Sequence, residues 1–255
     1  MQSVSRNGVL VTLIEKAAND NGFDLPLAPE GEWRGFASTH CPLTLRIGAN
    51  HDGGIVVGFS ERGVAAGLKD FGSEIDPPAI AGAVAARRVA GIPELHALLR
   101  RAFQLSRALP DAPLRAFEAQ TAALPRATEA ERLVIQRVGQ NIFRDRLLGY
   151  WEGRCAITGL AVPELLRASH IKRWADCETD AERLDVYNGL LLAPHLDAAF
   201  DAFLITIAED GTVVVSARLD ETSRNLLGLA GNLKLGRLDT RSGRYLEWHR
   251  ARFRR

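Results

Sequence analysis

Four side chains in the C-terminal half of this 255-residue chain could together hydrolyse a phosphodiester bond: His170, Asn188, Asp197 and Asp201. That reaction needs an activated water and neutralisation of the charge that builds on the phosphate. A histidine whose pKa lies near neutrality can take the proton from the water. Two aspartates four residues apart project from one face of a helix, so they can share a hard cation such as Mg²⁺ or Mn²⁺.

Asn188 and His195 complete the candidate catalytic set. Asn188 can hold the loop that carries His170 through side-chain to backbone hydrogen bonds, which would fix the orientation of the imidazole. His195 lies two residues before Asp197 and could act as a third metal ligand or as a phosphate donor. Structural interpretations stay open, because Asp197 also suits the first turn of a helix and Asp201 also suits a turn before a strand.

Four short motifs surround these residues, namely CAITG from Cys155, SHIKRW from Ser169, NGLLL from Asn188 and FD at Phe200. Together they resemble the HNH endonuclease family of ββα-metal nucleases, in particular its branch with the pattern CxxTG, SHIKPW, NGLLL and FD. The resemblance covers about residues 129–215. It implies that Asp197 and Asp201, nine and thirteen residues after the motif asparagine, bind a divalent metal, and that His170 is the general base.

The chain departs from the family pattern next to the candidate base. Ser169 stands where many HNH proteins have an aspartate or histidine as a metal ligand. This difference implies a metal shell that water completes. Arg173 stands where the branch has proline, and Phe203 stands at the glycine of a common Arg-Gly pair. We expect Phe203 to strain a turn that glycine would ease.

The thiol pairs that hold zinc in other branches are absent from the sequence. Cys155 is followed three residues later by Thr158, and Asn188 is followed five residues later by Ala193. No structural zinc is therefore expected, and apolar packing must hold the hairpin.

The resemblance implies a bacterial restriction or defence enzyme that cuts double-stranded DNA to leave a 3′-hydroxyl and a 5′-phosphate. Cutting both strands with one site in each chain favours a homodimer, although a monomer could nick successively. A DNA-binding protein with an inactive site and a nuclease toxin between bacteria are the alternatives. The candidate DNA contacts are Arg144, Arg167, Lys172, Arg173 and Trp174 near the site, and Trp33 and Arg34 in the N-terminal part.

The predicted fold class is α+β, in three regions. Residues 1–75 are predicted to be a small α+β domain that recognises DNA, residues 76–128 a helical connector, and residues 129–255 the ββα-metal nuclease domain. A ββα-metal site by itself contacts the phosphate backbone and has little sequence preference. The N-terminal domain is therefore the candidate for DNA sequence specificity.

Local patterns predict the elements of the first two regions. Apolar residues at helical spacing in 10–17 predict a helix. Alternation in 43–47 and an apolar run in 55–59 predict strands, joined by a turn at 50–54. Residues 72–80 are predicted to be a linker. A helix is predicted for 93–109, followed by a hinge where the chain carries Pro110, Pro113 and Pro125.

The nuclease region is predicted to begin with a helix whose capping box is Thr128 and Glu131. A hairpin arm then ends at His170, an exposed polar loop covers 176–185, and a second apolar arm follows Asn188. A short helix is predicted from Pro194, and a strand over 203–207 completes the pattern.

Composition gives weaker constraints. Hydrophobic residues make up 46% and charged residues 25% of the chain, which is typical of a globular protein with real cores. The net charge of +1 neither favours nor excludes nucleic acid. Six arginines near the C-terminus face one acid, so this tail could contact phosphates or could be a frayed end.

Cysteines and hydropathy indicate the compartment. Cys41, Cys155 and Cys177 form no CxxC pair, so reduced thiols are expected. The apolar patch at 9–14 is too short to span a membrane. The sequence therefore predicts a cytoplasmic protein with no membrane partner.

Overall fold

The structure is a computed structural model that describes residues 2–49, 54–109, 111–125 and 127–254. Most of the predicted turn at 50–54, together with Pro110 and Arg255, lies outside the described residues. The chain divides into two compact units, Met1–Ala112 and Pro113–Arg255. Within the described part of the chain, no helix has both the length and the apolar character needed to cross a bilayer.

The first unit is an antiparallel sheet with helices against it. The strands described are β1 (Leu25–Glu30), β2 (Trp33–Ala37), β3 (Leu45–Ala49), β4 (Ile55–Phe59), β5 (Ser73–Ile75) and β6 (Ala85–Val89), in the spatial order β1-β2-β3-β4-β6-β5. The helices are α1 (Gln2–Asp20), α2 (Arg62–Ala66) and α3 (Ile92–Ala108). Helices α1 and α3 pack together, and α2 packs on β4 and β6. The unit is therefore α+β, as predicted.

The predicted domain bounds need adjustment in the middle of the chain. Residues 73–75, predicted to lie in a linker, form strand β5 and pair with β6. The predicted connector, 76–128, contributes β6 and α3 to the first unit, where β6 pairs with β4. The boundary between the units falls in the proline-rich stretch that was predicted as a hinge. Pro113 stands there in the first turn of a helix, where no backbone N–H is needed.

The second unit contains the region with the chemical motifs. Its helices are α4 (Ala112–Thr121), α5 (Glu129–Tyr150), α6 (Asp180–Leu184), α7 (Pro194–Asp201), α8 (Glu221–Leu226) and α9 (Gly243–Arg250), and its strands are β7 (Arg167–His170), β8 (Gly189–Leu192), β9 (Ile205–Ile207) and β10 (Val213–Val215). The capping box at the start of α5 is confirmed, with Thr128 and Glu131 bonded reciprocally. The predicted polar loop at 176–185 contains α6, so it is partly helical.

The hairpin and α7 give the second unit its ββα arrangement. Strands β7 and β8 pair antiparallel, with His170 opposite Gly189. Helix α5 packs against both strands, and α7 packs against β7. Gly189 permits this close approach, because a Cβ there would lie 2.6 Å from the Phe143 ring.

A strained residue follows α7. Phe203 has a φ of +56°, in the left-handed region that glycine adopts at little cost. Its ring is 7% exposed, and it contacts the rings of Trp248 and His249. The predicted strain is confirmed, and burial of the phenyl ring opposes its cost.

Of the two alternatives left open for the arginine-rich C-terminal segment, a frayed end does not hold for Gly243–Arg250, which form helix α9. Helix α9 packs against β9, and it buries Tyr245, Leu246 and His249. Arg244 forms an ion pair with Asp185 at 3.2 Å. These contacts hold the end of the described chain on the second unit.

Candidate active site

His170 is the last residue of β7 and lies between two aromatic rings. Its imidazole stacks on Phe143 of α5, with centroids 3.8 Å apart and planes at 16°. The Trp174 ring meets it edge-on, with the centroids 5.6 Å apart. Its Nε2 lies 2.8 Å from the carbonyl oxygen of Arg183. A carbonyl can only accept, so Nε2 carries the hydrogen and Nδ1 is the basic nitrogen.

Burial sets the protonation state of His170. It lowers the pKa of this imidazole to about 4, and the hydrogen bond to the Arg183 carbonyl opposes the shift. The ring is therefore neutral at pH 7. Among the described residues, no group forms a hydrogen bond with Nδ1. The lone pair on this nitrogen is available to accept a proton.

Asn188 holds the loop between β7 and β8 closed. Its side chain is fully buried. Its Oδ1 accepts from the backbone N–H of Lys172 at 2.7 Å, and its Nδ2 donates to the carbonyls of Lys172 and Glu182, both at 3.1 Å. The side-chain to backbone hydrogen bonds predicted for Asn188 are present. They fix both ends of the loop, next to His170 and next to Arg183.

The two aspartates lie on α7, as their spacing predicts. Asp197 is half-buried and Asp201 is exposed. Partial burial and the neighbouring Asp197 carboxylate raise the pKa of Asp201, whereas Arg173 lowers it. The two carboxylates therefore repel each other, and a cation between them would relieve the repulsion.

The residues present suit a lightly held Mg²⁺ better than a fully caged metal. In the part of the chain that is described, no group of three or more histidine, cysteine, aspartate or glutamate side chains could hold a metal ion. Mg²⁺ is often bound through one or two carboxylates and keeps several waters, so Asp197 and Asp201 fit it.

The hydroxyl of Ser169, next to His170 on β7, lacks a hydrogen-bond partner among the described residues. Its Oγ is buried and has no hydrogen-bond partner within the described structure. It points away from the face on which His170 stacks against α5, because neighbouring strand residues alternate. Helix α7 packs on the same strand. A bound water would satisfy this hydroxyl, and the role of the Ser169 position in a metal shell stays a prediction.

Arg173 connects the hairpin to the end of α7. Its Nη2 donates to the backbone oxygen of Asp201 at 2.7 Å. Its guanidinium also lies 4.6 Å from the centroid of the Phe203 ring. Arg173 remains exposed, so it can meet a phosphate while it fixes the helix end.

Three of the DNA contacts predicted near the site have internal partners. Arg144 donates to the carbonyls of Leu166 and Pro163, at 2.6 and 2.9 Å. Lys172 is 13% exposed and pairs with Glu182 at 3.0 Å. The Trp174 ring packs on His170. These contacts engage part of each side chain within the second unit, and a DNA contact by Arg144, Lys172 or Trp174 stays a prediction.

The other predicted residues are spread over the two units. Arg167 is exposed on β7, and His195 is exposed in the first turn of α7. Trp33 and Arg34 are half-buried on β2 of the first unit. The roles of these residues in binding or catalysis stay predictions.

The sequence reasoning missed two residues that contact His170. Phe143 lies four residues before Leu147 on the apolar face of α5, so its burial was predictable but its stacking on an imidazole was not. Arg183 contributes a backbone carbonyl, and a main-chain group leaves no signal in residue types.

A comparison with protein-family models matches the region that contains His170 and the two aspartates. Residues 155–208 match the family model described as HNH endonuclease. The matched segment contains β7, β8 and α7, and with them His170, Asn188 and both aspartates. No curated protein matches the chain.

Proposed function

We propose that the protein, whose residues 155–208 match the family model described as HNH endonuclease, is a metal-dependent endonuclease that cuts double-stranded DNA. One observation carries the proposal. One nitrogen of His170 is bonded to a carbonyl and no described group bonds the other, so a neutral imidazole presents a basic Nδ1 in a fixed orientation. This is the state that a general base requires.

In the proposed mechanism, Nδ1 of His170 takes a proton from a water that attacks the phosphorus. The bond to the 3′-oxygen breaks and this oxygen takes a proton from solvent water, which leaves a 5′-phosphate and a 3′-hydroxyl. The Arg183 carbonyl faces Nε2–H throughout and stabilises the imidazolium that forms. Mg²⁺ or Mn²⁺, held by Asp197 and Asp201, would supply positive charge to the phosphate and to the leaving oxygen.

Asn188 acts through His170 in this proposal. By closing the loop at Lys172 and Glu182, it keeps the Arg183 carbonyl next to the imidazole. His195 is a candidate phosphate donor, because it is exposed two residues before Asp197. Arg167 and Arg173 are the exposed cations of the site that we expect to contact DNA phosphates.

We further propose that the first unit supplies DNA specificity and that the protein serves in bacterial restriction or defence. The candidates for base contacts are Trp33 and Arg34, since aromatic and arginine side chains suit stacking and base-edge hydrogen bonds. The test compares the full-length protein with Trp33→Ala and Arg34→Ala for binding to plain and base-modified duplexes in EDTA. Equal binding by all three proteins to all duplexes would contradict this assignment.

A plasmid-nicking assay tests the catalytic proposal. The protein is incubated with supercoiled DNA and Mg²⁺, Mn²⁺ or EDTA, beside His170→Ala. We expect metal-dependent nicking that the substitution lowers by roughly 10²- to 10⁴-fold, the usual contribution of a general base. Nicking that persists unchanged in EDTA or in His170→Ala would contradict the mechanism.

A second candidate function is DNA binding without catalysis. The absence of a three-ligand metal group among the described residues favours it. If no metal supports nicking while gel-shift experiments show binding, this candidate replaces the first.

A further inference from the structure

Arg183 contacts the surroundings of His170 in two ways. Its backbone carbonyl accepts the Nε2–H of His170, and its guanidinium binds the turn that carries Trp174. We propose that Arg183 is a further positioning residue of the site, beside Asn188, and that it fixes the imidazole of His170 in the tautomer and orientation that leave Nδ1 without a bond to any described group. The inference rests on the proposed function only where DNA cutting is measured.

The guanidinium of Arg183 uses all three of its nitrogens within the loop. Nε donates to the Trp174 carbonyl at 3.2 Å, and Nη2 donates to the Cys177 carbonyl at 2.5 Å. Nη1 donates to the Asp180 carboxylate at 2.9 Å. The guanidinium carbon also lies 5.8 Å from the centroid of the Trp174 ring. One side chain thus ties α6 to the turn Trp174–Asp176.

This arrangement controls two contacts of the imidazole at once. The same residue places its own carbonyl against Nε2 and fixes the backbone of Trp174, whose ring edge meets the imidazole. A lysine carries its three donors on one atom, so it lacks the planar fork that spans separate carbonyls. Arg183→Lys should therefore keep the charge and lose the positioning.

Gly139 on α5 offers an independent way to disturb Trp174. A Cβ at this position would lie 2.5 Å from the far edge of the Trp174 ring. Gly139→Ala should therefore displace the indole, although alanine normally favours a helix. Gly8 on α1 is the matched control, because a Cβ there would meet nothing within 4 Å.

The experiment combines histidine NMR with steady-state kinetics on the full-length protein. The ¹⁵N shifts of His170 report which nitrogen carries the hydrogen, and their pH dependence reports its pKa. The variants are Arg183→Gln, Arg183→Lys and Gly139→Ala. The control for the Arg183 variants is Arg224→Gln, because Arg224 also donates to two backbone carbonyls, of Leu219 and Ser216. The control for Gly139→Ala is Gly8→Ala.

We expect both Arg183 variants to show a mixture of His170 tautomers and a kcat lowered about 10- to 100-fold, as for a misplaced catalytic group, with little change in the KM for DNA. Arg224→Gln should keep the single tautomer and the kcat. If Arg183→Gln does not fold, Arg183→Lys and Gly139→Ala carry the test. A single Nε2–H tautomer with unchanged kcat in the folded variants would overturn the inference.

The NMR measurement separates this inference from the proposed nuclease activity. If the wild type does not cut DNA but the Arg183 variants still lose the single tautomer, positioning is supported and the proposed function fails. If the wild type cuts DNA but the Arg183 variants keep the single tautomer, the proposed function is supported and the positioning role of Arg183 fails.

Discussion

The second unit contains two histidines with similar partners, of which His170 is half-buried and His249 is buried. His170 stacks on Phe143 and His249 stacks on Phe200, each with ring centroids 3.8 Å apart. Each donates Nε2–H to a backbone carbonyl, at 2.8 Å for His170 and at 3.0 Å for His249. Burial lowers the pKa of each to about 4.

The two histidines differ at Nδ1. In His249 this nitrogen accepts a hydrogen bond from the Thr206 hydroxyl at 2.9 Å, whereas in His170 no described group bonds it. Stacking, burial and a low pKa therefore do not by themselves distinguish a catalytic base from a structural histidine. The unbonded Nδ1 does distinguish them, because a catalytic base needs one lone pair that no other group occupies.

The largest expected effect comes from exchanging each histidine for glutamine. His170→Gln should lower the cutting rate by roughly 10²- to 10⁴-fold with little loss of stability, because it removes the base. His249→Gln should keep the rate of the folded protein and lower its melting temperature, because it disturbs a fully satisfied buried group. Nicking rates and thermal melts of both variants check this. Equal losses of rate would contradict the comparison.

The second effect is a loss of stability in acid. Both histidines have a folded pKa of about 4, below the ordinary value of 6.5, so the unfolded chain binds protons that the folded chain does not. Their stabilisation is complete above pH 6.5 and is lost as the pH falls towards 4, by about 3 kcal/mol for each histidine. Urea unfolding of the second unit at pH 7 and pH 4 measures it.

His249→Gln provides the control for this titration. The substitution should remove roughly half of the histidine contribution and leave that of the carboxylates unchanged. The same pH dependence in the variant as in the wild type would show that His249 titrates at its ordinary pKa.

The sequence predicted the parts of the site that depend on local spacing. The hairpin arms around His170 and Asn188 and the helix that carries both aspartates follow from residue type and periodicity. The sequence predicted strain at Phe203, and its φ is positive. Each of these features is fixed within a few residues of the chain.

The remaining features depend on contacts between distant segments. Strand β5 forms at 73–75 because it pairs with β6, which overrides a local sequence typical of a linker. His249 lies in an arginine-rich stretch typical of an exposed tail, yet it is 1% exposed. The Arg183 carbonyl reaches His170 only once the loop has closed. Residue types alone carry no information about these distances.

The smallest expected effect tests the difference at Nδ1 directly. Thr206→Val removes the hydroxyl that bonds His249 and keeps the shape of the side chain, so Nδ1 of His249 becomes unbonded like that of His170. The cost should be about 1–3 kcal/mol of folding free energy, because the buried Nδ1 is left without a partner. The cutting rate should not change, because His249 is 1% exposed and water cannot reach its nitrogen. Urea unfolding and nicking assays measure both quantities. A lowered cutting rate in folded Thr206→Val would show that the two histidines are coupled through α7, whose Phe200 supplies both the carbonyl and the ring that His249 contacts.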